Sequence, residues 1–280
     1  MERGIWTRLA NVDRRIIWGI QLAIMTVILL RPIGFPVPVG DTTQDMYDFY
    51  ESLPEGSIVW FEFGYAVSGE HEINALVAVM FHHAFQRNLR VVASGLWPFG
   101  PDLGQRVFEN AIEPLYDVDY GVDYVNLGFN PGGEMLARQL VDDVWNTVRG
   151  VDHFGNRLAD LPLMAEVPRL TKDYVAAICV FTEGSPGPQE WLEAVTERTG
   201  IPLTVAAPTG HVPGARPFLA SGQYAALLPG ARGCAEYEFL VGQPGSALGA
   251  MDVLSGMTLY LWLLVVLGNI AYVATQKRKR

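Results

Sequence analysis

Three residues of the types that carry out acyl transfer follow two predicted strands. Glu183 and Ser185 come after the apolar run at residues 174–181, and His211 comes after the run at residues 202–206. A serine that a histidine activates, with an acid orienting the histidine, can attack a carbonyl carbon. If the two strands are neighbours in the sheet, the three side chains approach one another and form a candidate catalytic set. The alternative is a rigid turn, because two glycines and two prolines surround Ser185.

A second candidate site lies in the glycine-rich segment before a predicted helix at residues 133–148. Asn130, Gly132 and Gly133 lie where backbone N–H groups meet the positive end of the helix dipole, so they are candidates for binding an anion or a carboxylate. The alternative is a tight turn with Glu134 as a first-turn dipole partner. The chain has no Gly-x-Gly-x-x-Gly motif and no Gly-Lys-Ser/Thr loop, so no cofactor is predicted.

The histidines and cysteines do not have metal-ligand spacing. His71 and His82 share one predicted helix, but eleven residues separate them, or about 16 Å along the axis. His83 points away from His82 by roughly 100°. The two cysteines, Cys179 and Cys234, are too few for a cysteine-rich metal cluster. No metal site is predicted, and whether the cysteines form a disulfide stays open.

The elements that must position these residues alternate between strands and helices. Predicted strands cover residues 57–63, 89–95, 124–128, 174–181, 202–206 and 222–228. Helical spacing of apolar residues covers residues 71–86, 102–113, 133–148, 188–199 and 231–241. This order predicts an α/β fold: a three-layer, doubly wound, mostly parallel sheet of the Rossmann-like or flavodoxin-like kind. Ligands bind such sheets beyond the carboxyl ends of the strands.

Two uncharged apolar runs, residues 16–30 and 253–274, lie near the chain ends. The second run is about 33 Å long as a helix and matches the hydrocarbon core of a bilayer. The first is shorter, but flanking arginines can snorkel and extend it. A cleaved signal peptide is the alternative for the first run, although no small-x-small site follows it. The predicted segments are a basic tail (1–13), a transmembrane helix (14–32), a linker (33–56), the α/β domain (57–250), a second transmembrane helix (251–275) and a basic tail (276–280).

Charge predicts the orientation and limits the partners. Basic residues cluster before the first run, at Arg3, Arg8, Arg14 and Arg15, and after the second run, at residues 277–280. The positive-inside rule therefore places both termini in the cytoplasm and the domain outside it. Residues 32–251 contain 27 acidic and 11 basic side chains, a net charge of −16. Such a field disfavours a nucleic-acid partner.

Several segments resemble an uncharacterised prokaryotic family of proteins with two transmembrane helices, carrying DYVNLG and AEYE. They are residues 120–128 (YGVDYVNLG), 221–223 (SGQ), 230–238 (GARGCAEYE) and 267–272 (LGNIAY). The resemblance implies a similar architecture and a ligand-binding surface that includes Asn126, Gly133, Gln223, Glu236 and Glu238. It implies no activity.

These observations support two hypotheses of function. The first is a non-catalytic ligand- or partner-binding subunit of a membrane assembly, which contacts the bilayer through two helices and a membrane protein or a second copy through the domain. The second is a membrane-bound hydrolase or transferase that uses Glu183, Ser185 and His211 at the carboxyl ends of the strands.

Overall fold

The computed structural model describes residues 12–31, 34 and 38–277, with side chains up to residue 275. These residues form two compact units. The first unit is the domain, Pro38–Ala247, and the second is terminal and combines the residues before Pro38 with those from Leu248 onward. The predicted basic tails lie almost entirely outside the described residues.

The domain is built on one six-stranded sheet in the order β3-β2-β1-β4-β5-β6, and all five strand pairs are parallel. The predicted α/β class with a parallel sheet is confirmed. The strand order changes direction between β1 and β4, which makes the space beyond their carboxyl ends the switch point of the sheet. The strands are β1 (Ile58–Gly64), β2 (Arg90–Gly95), β3 (Tyr124–Phe129), β4 (Ala177–Thr182), β5 (Leu203–Ala207) and β6 (Ala226–Pro229).

Helices lie between these strands along the chain, and further helices precede β1 and follow β6. Their bounds are α1 (Arg14–Leu30), α2 (Asp41–Glu51), α3 (Glu70–Gln86), α4 (Gly100–Val107), α5 (Gly133–Leu140), α6 (Val144–Thr147), α7 (Pro162–Ala165), α8 (Pro188–Trp191), α9 (Glu197–Thr199), α10 (Val212–Ala220), α11 (Gly230–Val241) and α12 (Ser246–Lys277). A π-helical turn, Phe108–Ile112, extends α4, and a second, Leu192–Thr196, joins α8 to α9. A short 3₁₀ turn covers Leu158–Asp160.

Every residue of β1 is buried. Since successive side chains of a strand point to opposite faces, both faces of the sheet are buried. On one face Trp60 belongs to a cluster with Leu136 of α5 and Trp191 of α8. On the other face the ring centroid of Phe61 lies 5.2 Å from that of Phe81 of α3. Cys179 and Cys234 are buried and are not joined in a disulfide.

The prediction of a linker at residues 33–56 is wrong for most of that segment. The compact domain already begins at Pro38, and α2 buries Met46 and Tyr50 completely. The carboxylate of Glu236 accepts hydrogen bonds from the N–H of Gly40 at 3.0 Å and from the hydroxyl of Thr43 at 2.7 Å. This helix has few apolar residues, and it is fixed by partners nearly two hundred positions away, which local periodicity does not reveal.

The terminal unit supports one of the two predicted transmembrane helices. Among the described residues, one helix is long and apolar enough to cross a membrane, the segment Ser246–Thr275 of α12, and only 6% of its most apolar window is buried. With 17 residues, α1 is about 26 Å long, shorter than a hydrocarbon core of about 30 Å. The two helices pack together, since a Cβ at Gly256 would lie 2.3 Å from Cδ1 of Ile28.

Candidate functional site at the carboxyl edge of the sheet

The crevice at the switch point is filled by the domain's own loops. Glu183, just after β4, accepts hydrogen bonds from the N–H of Ala66 at 3.3 Å and from the hydroxyl of Ser68 at 2.6 Å. Trp97 donates its indole N–H to the carbonyl of Pro186 at 3.0 Å and so joins the loop after β2 to the loop after β4. The loop amides that bind phosphate in related sheet arrangements therefore already hold a carboxylate here.

A second carboxylate binds hydrogen-bond donors beyond the carboxyl ends of β5 and β6. Oε1 of Glu72, in the first turn of α3, accepts hydrogen bonds from the N–H of Thr209 at 2.8 Å, its hydroxyl at 2.6 Å and the N–H of Ala231 at 2.9 Å. Ala231 lies in the first turn of α11, where unpaired N–H groups favour a negative charge. Glu72 thus occupies the natural anion site of that helix.

The predicted catalytic set does not assemble through hydrogen bonds. The hydroxyl of Ser185 donates to Glu190, which also accepts the N–H of Gly187 at 2.8 Å and so caps α8. Glu183 binds the loop after β1 instead. Ser185 and His211 do line one cavity of about 230 Å³. Within the described part of the chain, no hydrogen bond joins His211 to Ser185 or Glu183.

We call this region the closed half: the carboxyl edge of β4, β5 and β6, where Glu72, Glu183 and Glu190 bind backbone N–H groups at the strand ends and helix starts. The exception is α10, whose first residue follows His211 without a side-chain cap. Its start borders the small cavity.

The opposite part of the edge, beyond β2 and β3, is open. A cleft of about 410 Å³ lies between the loops there. Three exposed apolar residues, Val67, Phe99 and Phe154, are among those that line it. Phe129 and Met135 follow at the end of β3 and the start of α5. The exposed fractions are 56% for Val67, 55% for Phe99, 41% for Phe129, 65% for Met135 and 53% for Phe154. We call these five residues and the cleft the open half.

Charged side chains surround the cleft. Asp102, Arg106 and Glu109 of the α4 segment line it together with His153. Nε2 of His153 lies 3.6 Å from Oδ1 of Asp102, and Nη2 of Arg106 lies 3.7 Å from Oε2 of Glu70. Arg106 and Glu70 also border a larger groove of about 840 Å³ along the outer side of α3. The open half therefore continues into a second concave surface.

Buried hydrogen bonds fix the loop that carries Phe154. One carboxylate oxygen of Asp152 accepts the N–H of Phe154 at 2.9 Å and of Asn156 at 2.8 Å. The other accepts the hydroxyl of Tyr120 at 2.8 Å. The N–H of His153 in turn donates to the carbonyl of Asn126 at 2.8 Å. The apolar residue at the tip is thus held by a well-bonded loop.

Asn126, a predicted ligand-binding residue, holds the open half together. It is fully buried, and its amide donates to the carbonyl of Pro101 at 3.1 Å and to Oε1 of Gln105 at 3.2 Å. Its side-chain oxygen accepts the N–H of Gly128 at 2.9 Å. Because these partners are all internal, Asn126 supports the cleft from within the fold.

The other predicted residues of the third loop form a turn. The side chain of Asn130 donates to the carbonyls of Leu127 and Gly128 at 3.0 and 3.3 Å. Gly132 and Gly133 have φ angles of +142° and +54°, which L side chains rarely adopt. The turn interpretation accounts for these glycines, although no side chain among the described residues caps the start of α5.

Gln223, Glu236 and Glu238 lie elsewhere. Gln223 precedes β6, on the amino side of that strand, and accepts a hydrogen bond from Ser221 at 2.9 Å. Glu236 caps α2, and Glu238 accepts the N–H groups of Gly245 at 3.0 Å and Ala247 at 3.2 Å at the start of α12. The two acids tie α11 to the segments that enter and leave the domain. They do not share a surface with Asn126.

A buried acid lies on β1, between the two halves. Glu62 accepts hydrogen bonds from the hydroxyl of Ser94 at 2.5 Å and from the N–H of Leu96 at 2.6 Å. Burial raises the pKa of Glu62 to about 7, against the lowering effect of those two hydrogen bonds. Its charge state therefore changes near neutral pH.

Two histidines of α3, His82 and His83, occupy structural positions. His83 is buried, bonds the hydroxyl of Tyr237 at 2.6 Å and lies 3.0 Å from Glu51; its pKa is lowered by burial, with the hydrogen bond to Glu51 opposing that effect. His82 bonds the hydroxyl of Tyr116 at 3.1 Å. Within residues 12–31, 34 and 38–277, no group of three or more His, Cys, Asp and Glu side chains is arranged to hold a metal ion.

Sequence reasoning missed the residues that define the open half. Phe99 and Phe154 were not among the candidate residues, and neither was Asp152. A signal for Phe99 existed, because it lies among two prolines and a glycine directly after a predicted strand. No local pattern indicated that the loop with Phe154 returns to the same edge.

No protein-family model, curated protein or solved structure matches the chain. The resemblance to two-helix membrane proteins stays a prediction.

Proposed function

We propose that the chain is a membrane-anchored binding subunit whose open half contacts a partner protein of a membrane assembly. The observation that carries this proposal is the set of five exposed apolar side chains at one edge of the sheet. Single exposed apolar residues are ordinary on protein surfaces, but a group of them around a concave surface is typical of an interaction site.

The rigidity of the open half supports this proposal. Phe154 lies on a loop fixed by Asp152, and Phe99 lies next to the Pro101 carbonyl that Asn126 binds. Aromatic side chains that are already held in place lose little conformational freedom when a partner covers them. Phenylalanines at the centre of such a surface are suited to be the anchors of an interface.

Charge favours a partner with basic residues near its apolar contact. The open half carries Asp102 and Glu109 beside a single arginine, Arg106, in a domain whose net charge is −16 over residues 32–251. Opposite charge at the rim would increase the association rate and help orient the partner. The same field disfavours nucleic acid.

The membrane part of the proposal rests on α12 and its neighbour. The apolar side chains of α12 are largely exposed, as are Trp18 and Leu22 of α1. Lipid is the solvent that suits such surfaces. Tyr260 of α12 donates its hydroxyl to the carbonyl of Ile17 at 2.9 Å. We therefore infer that α1 also lies in the bilayer. From the basic residues at both chain ends we infer that both termini are cytoplasmic and that the domain is extracytoplasmic.

Photo-crosslinking in intact cells tests the partner. A benzophenone amino acid in place of Phe99 is expected to give a discrete adduct with another membrane protein or with a second copy of the chain. The control replaces Phe239, which is also exposed but lies on α11. Adducts of equal yield at both positions, or at neither, would contradict the proposal.

Cysteine labelling tests the orientation. A cysteine in place of Glu55, which is exposed in the domain, is expected to react with a membrane-impermeant maleimide on intact cells. The two native cysteines are buried, so the unsubstituted chain is the control. Labelling that requires lysed cells would place the domain in the cytoplasm.

A further inference from the structure

The small cavity of the closed half is lined on one side by apolar groups and on the other by acceptors. Val205, Ala207 and Ala215 form the apolar side. Tyr224 also lines the cavity; it is almost fully buried, and its ring stacks on Phe218 with centroids 5.0 Å apart. Ser185, Gln189 and His211 lie at the exposed side of the cavity.

Glu190 gives the cavity a negative charge. Hydrogen bonds from Ser185 and from the N–H of Gly187 lower its pKa, although burial opposes that shift, so Glu190 is ionised at neutral pH. None of the ion pairs among the described residues includes Glu190. The only basic type of side chain lining the described cavity is the imidazole of His211.

The hydrogen-bond capacity of the cavity fits an N–H donor. Ser185 uses its hydrogen on Glu190, so the lone pairs of its oxygen remain to accept. The carboxylate of Glu190 and the hydroxyl of Tyr224 are further acceptors. Burial raises the pKa of Tyr224 to about 12, and the charge of Glu190 adds to that effect.

We propose that this cavity binds a small primary alkylammonium ion, with its cationic head on Glu190 and Ser185 and its alkyl body against Val205 and Ala215. The cavity of about 230 Å³ has room for roughly eight non-hydrogen atoms at about 30 Å³ each. A primary ammonium has three N–H donors and meets three acceptors. This site is separate from the open half.

The test is an NMR titration of the full chain in an uncharged detergent with n-butylammonium, read at the backbone amides of Gly184 and Gly187. We expect saturation with a Kd on the order of 1 mM for so small a ligand. 1-Butanol, which has the same alkyl chain without charge, is expected to bind with an affinity lower by roughly tenfold or more. Equal shifts with both compounds, or no shift at concentrations about tenfold above that Kd, would overturn the proposal.

Variants locate the site. Glu190→Gln should weaken n-butylammonium binding by roughly tenfold or more, whereas Glu193→Gln, an exposed acid in the same helical segment, should leave it unchanged. If Glu190→Gln fails to fold because the cap of α8 is lost, Ala215→Leu decides, since it fills the cavity and keeps the carboxylate. Binding that survives both substitutions overturns the proposal.

A lysine side chain of another protein carries the same head group. Nα-acetyl-lysine amide distinguishes the two sources, because its backbone is too large for the cavity and would remain outside. Weaker or equal binding relative to n-butylammonium supports the small amine. Tighter binding assigns the cavity to a partner's lysine and overturns the proposal.

Discussion

The two halves of the carboxyl edge use the same type of sheet end in opposite ways. In the closed half, Glu72, Glu183 and Glu190 bind the N–H groups at strand ends and helix starts. In the open half, α4 and α5 begin without a side-chain cap, and apolar residues such as Phe99 face outward. Apart from α10, the closed half thus satisfies its helix starts internally, whereas the open half exposes apolar side chains that a partner can cover.

In the closed half, helix starts at the carboxyl edge are satisfied by acidic side chains of the chain itself. Helix N-termini at the carboxyl edge attract anions, and here glutamates of the chain are those anions. The charges of Glu72 and Glu183 are therefore structural, whereas Glu190 also lines the small cavity. The charge of the open half, at Asp102 and Glu109, surrounds a cleft and remains for recognition.

The largest effect is expected at Glu62, at the boundary between the halves. Its pKa is raised to about 7 from 4.5 in the folded state, so its contribution to stability is complete below the unfolded value and is lost as the pH rises through about 7. The free energy of unfolding should fall by up to about 3 kcal/mol from this group between pH 4.5 and 8. Denaturant titrations across that pH range measure it.

Glu62→Gln, which mimics the protonated acid, should remove most of this pH dependence and leave the variant more stable than the wild type at pH 8. Glu55→Gln, at an exposed acid, is the matched control. An unchanged pH dependence of the free energy of unfolding in Glu62→Gln would show that another group causes it.

Asn126→Ala tests the frame of the open half. It removes the hydrogen bonds of Asn126 to the carbonyl of Pro101, Oε1 of Gln105 and the N–H of Gly128. This loss should reduce the free energy of unfolding by about 2 to 3 kcal/mol. The adduct at Phe99 should decrease in parallel. Asn110→Ala removes an exposed asparagine that bonds only the carbonyl of Arg106, and its effect should stay within about 0.5 kcal/mol.

Glu72→Ala tests the seal of the closed half. Both donors of Thr209 lose their acceptor, and the N–H of Ala231 keeps only its 3.3 Å bond to the hydroxyl of Thr209, which should cost about 1 to 2 kcal/mol. The vacated start of α11 should then bind phosphate, so added phosphate should raise the Tm of the variant more than that of the wild type. Glu70→Gln, which disrupts only a long surface ion pair with Arg106, should cost less than about 0.5 kcal/mol.

The smallest effect on stability is expected where the effect on binding is largest. Phe99→Ser combined with Phe154→Ser should change the free energy of unfolding by less than about 1 kcal/mol, because both rings are already half exposed. The partner adduct, read from a photo-crosslinker at Met135, should nevertheless be lost. A large loss of stability in this variant would mean that the two rings belong to the core.

The strands could be predicted from the sequence because each is a short apolar run. The run at residues 174–181, for example, became Ala177–Thr182, buried at every position. Helices fixed by distant partners could not be predicted. Helix α2 depends on Glu236, and α10 has Pro217 in its interior, which local propensity counts against a helix.

The sequence predicted a site at the carboxyl edge of the sheet, and the candidate surface in the structure lies at that edge but on other residues. The rule that ligands bind beyond the strand ends indicated this edge of the sheet. The roles of the residues there depend on tertiary hydrogen bonds. Ser185 pairs with Glu190 and not with His211, and Asn126 bonds only internal groups, which no spacing in the sequence indicates.

Amide hydrogen exchange tests the central claim, that the open half is the binding surface, most directly. The chain would be compared in its native membrane and after purification in detergent. We predict that residues 97–103, 129–135 and 152–156 exchange more slowly in the membrane, whereas residues 183–190 and 207–212 are unchanged. Equal exchange in both preparations for all five segments, or slowing confined to the closed half, would contradict the account.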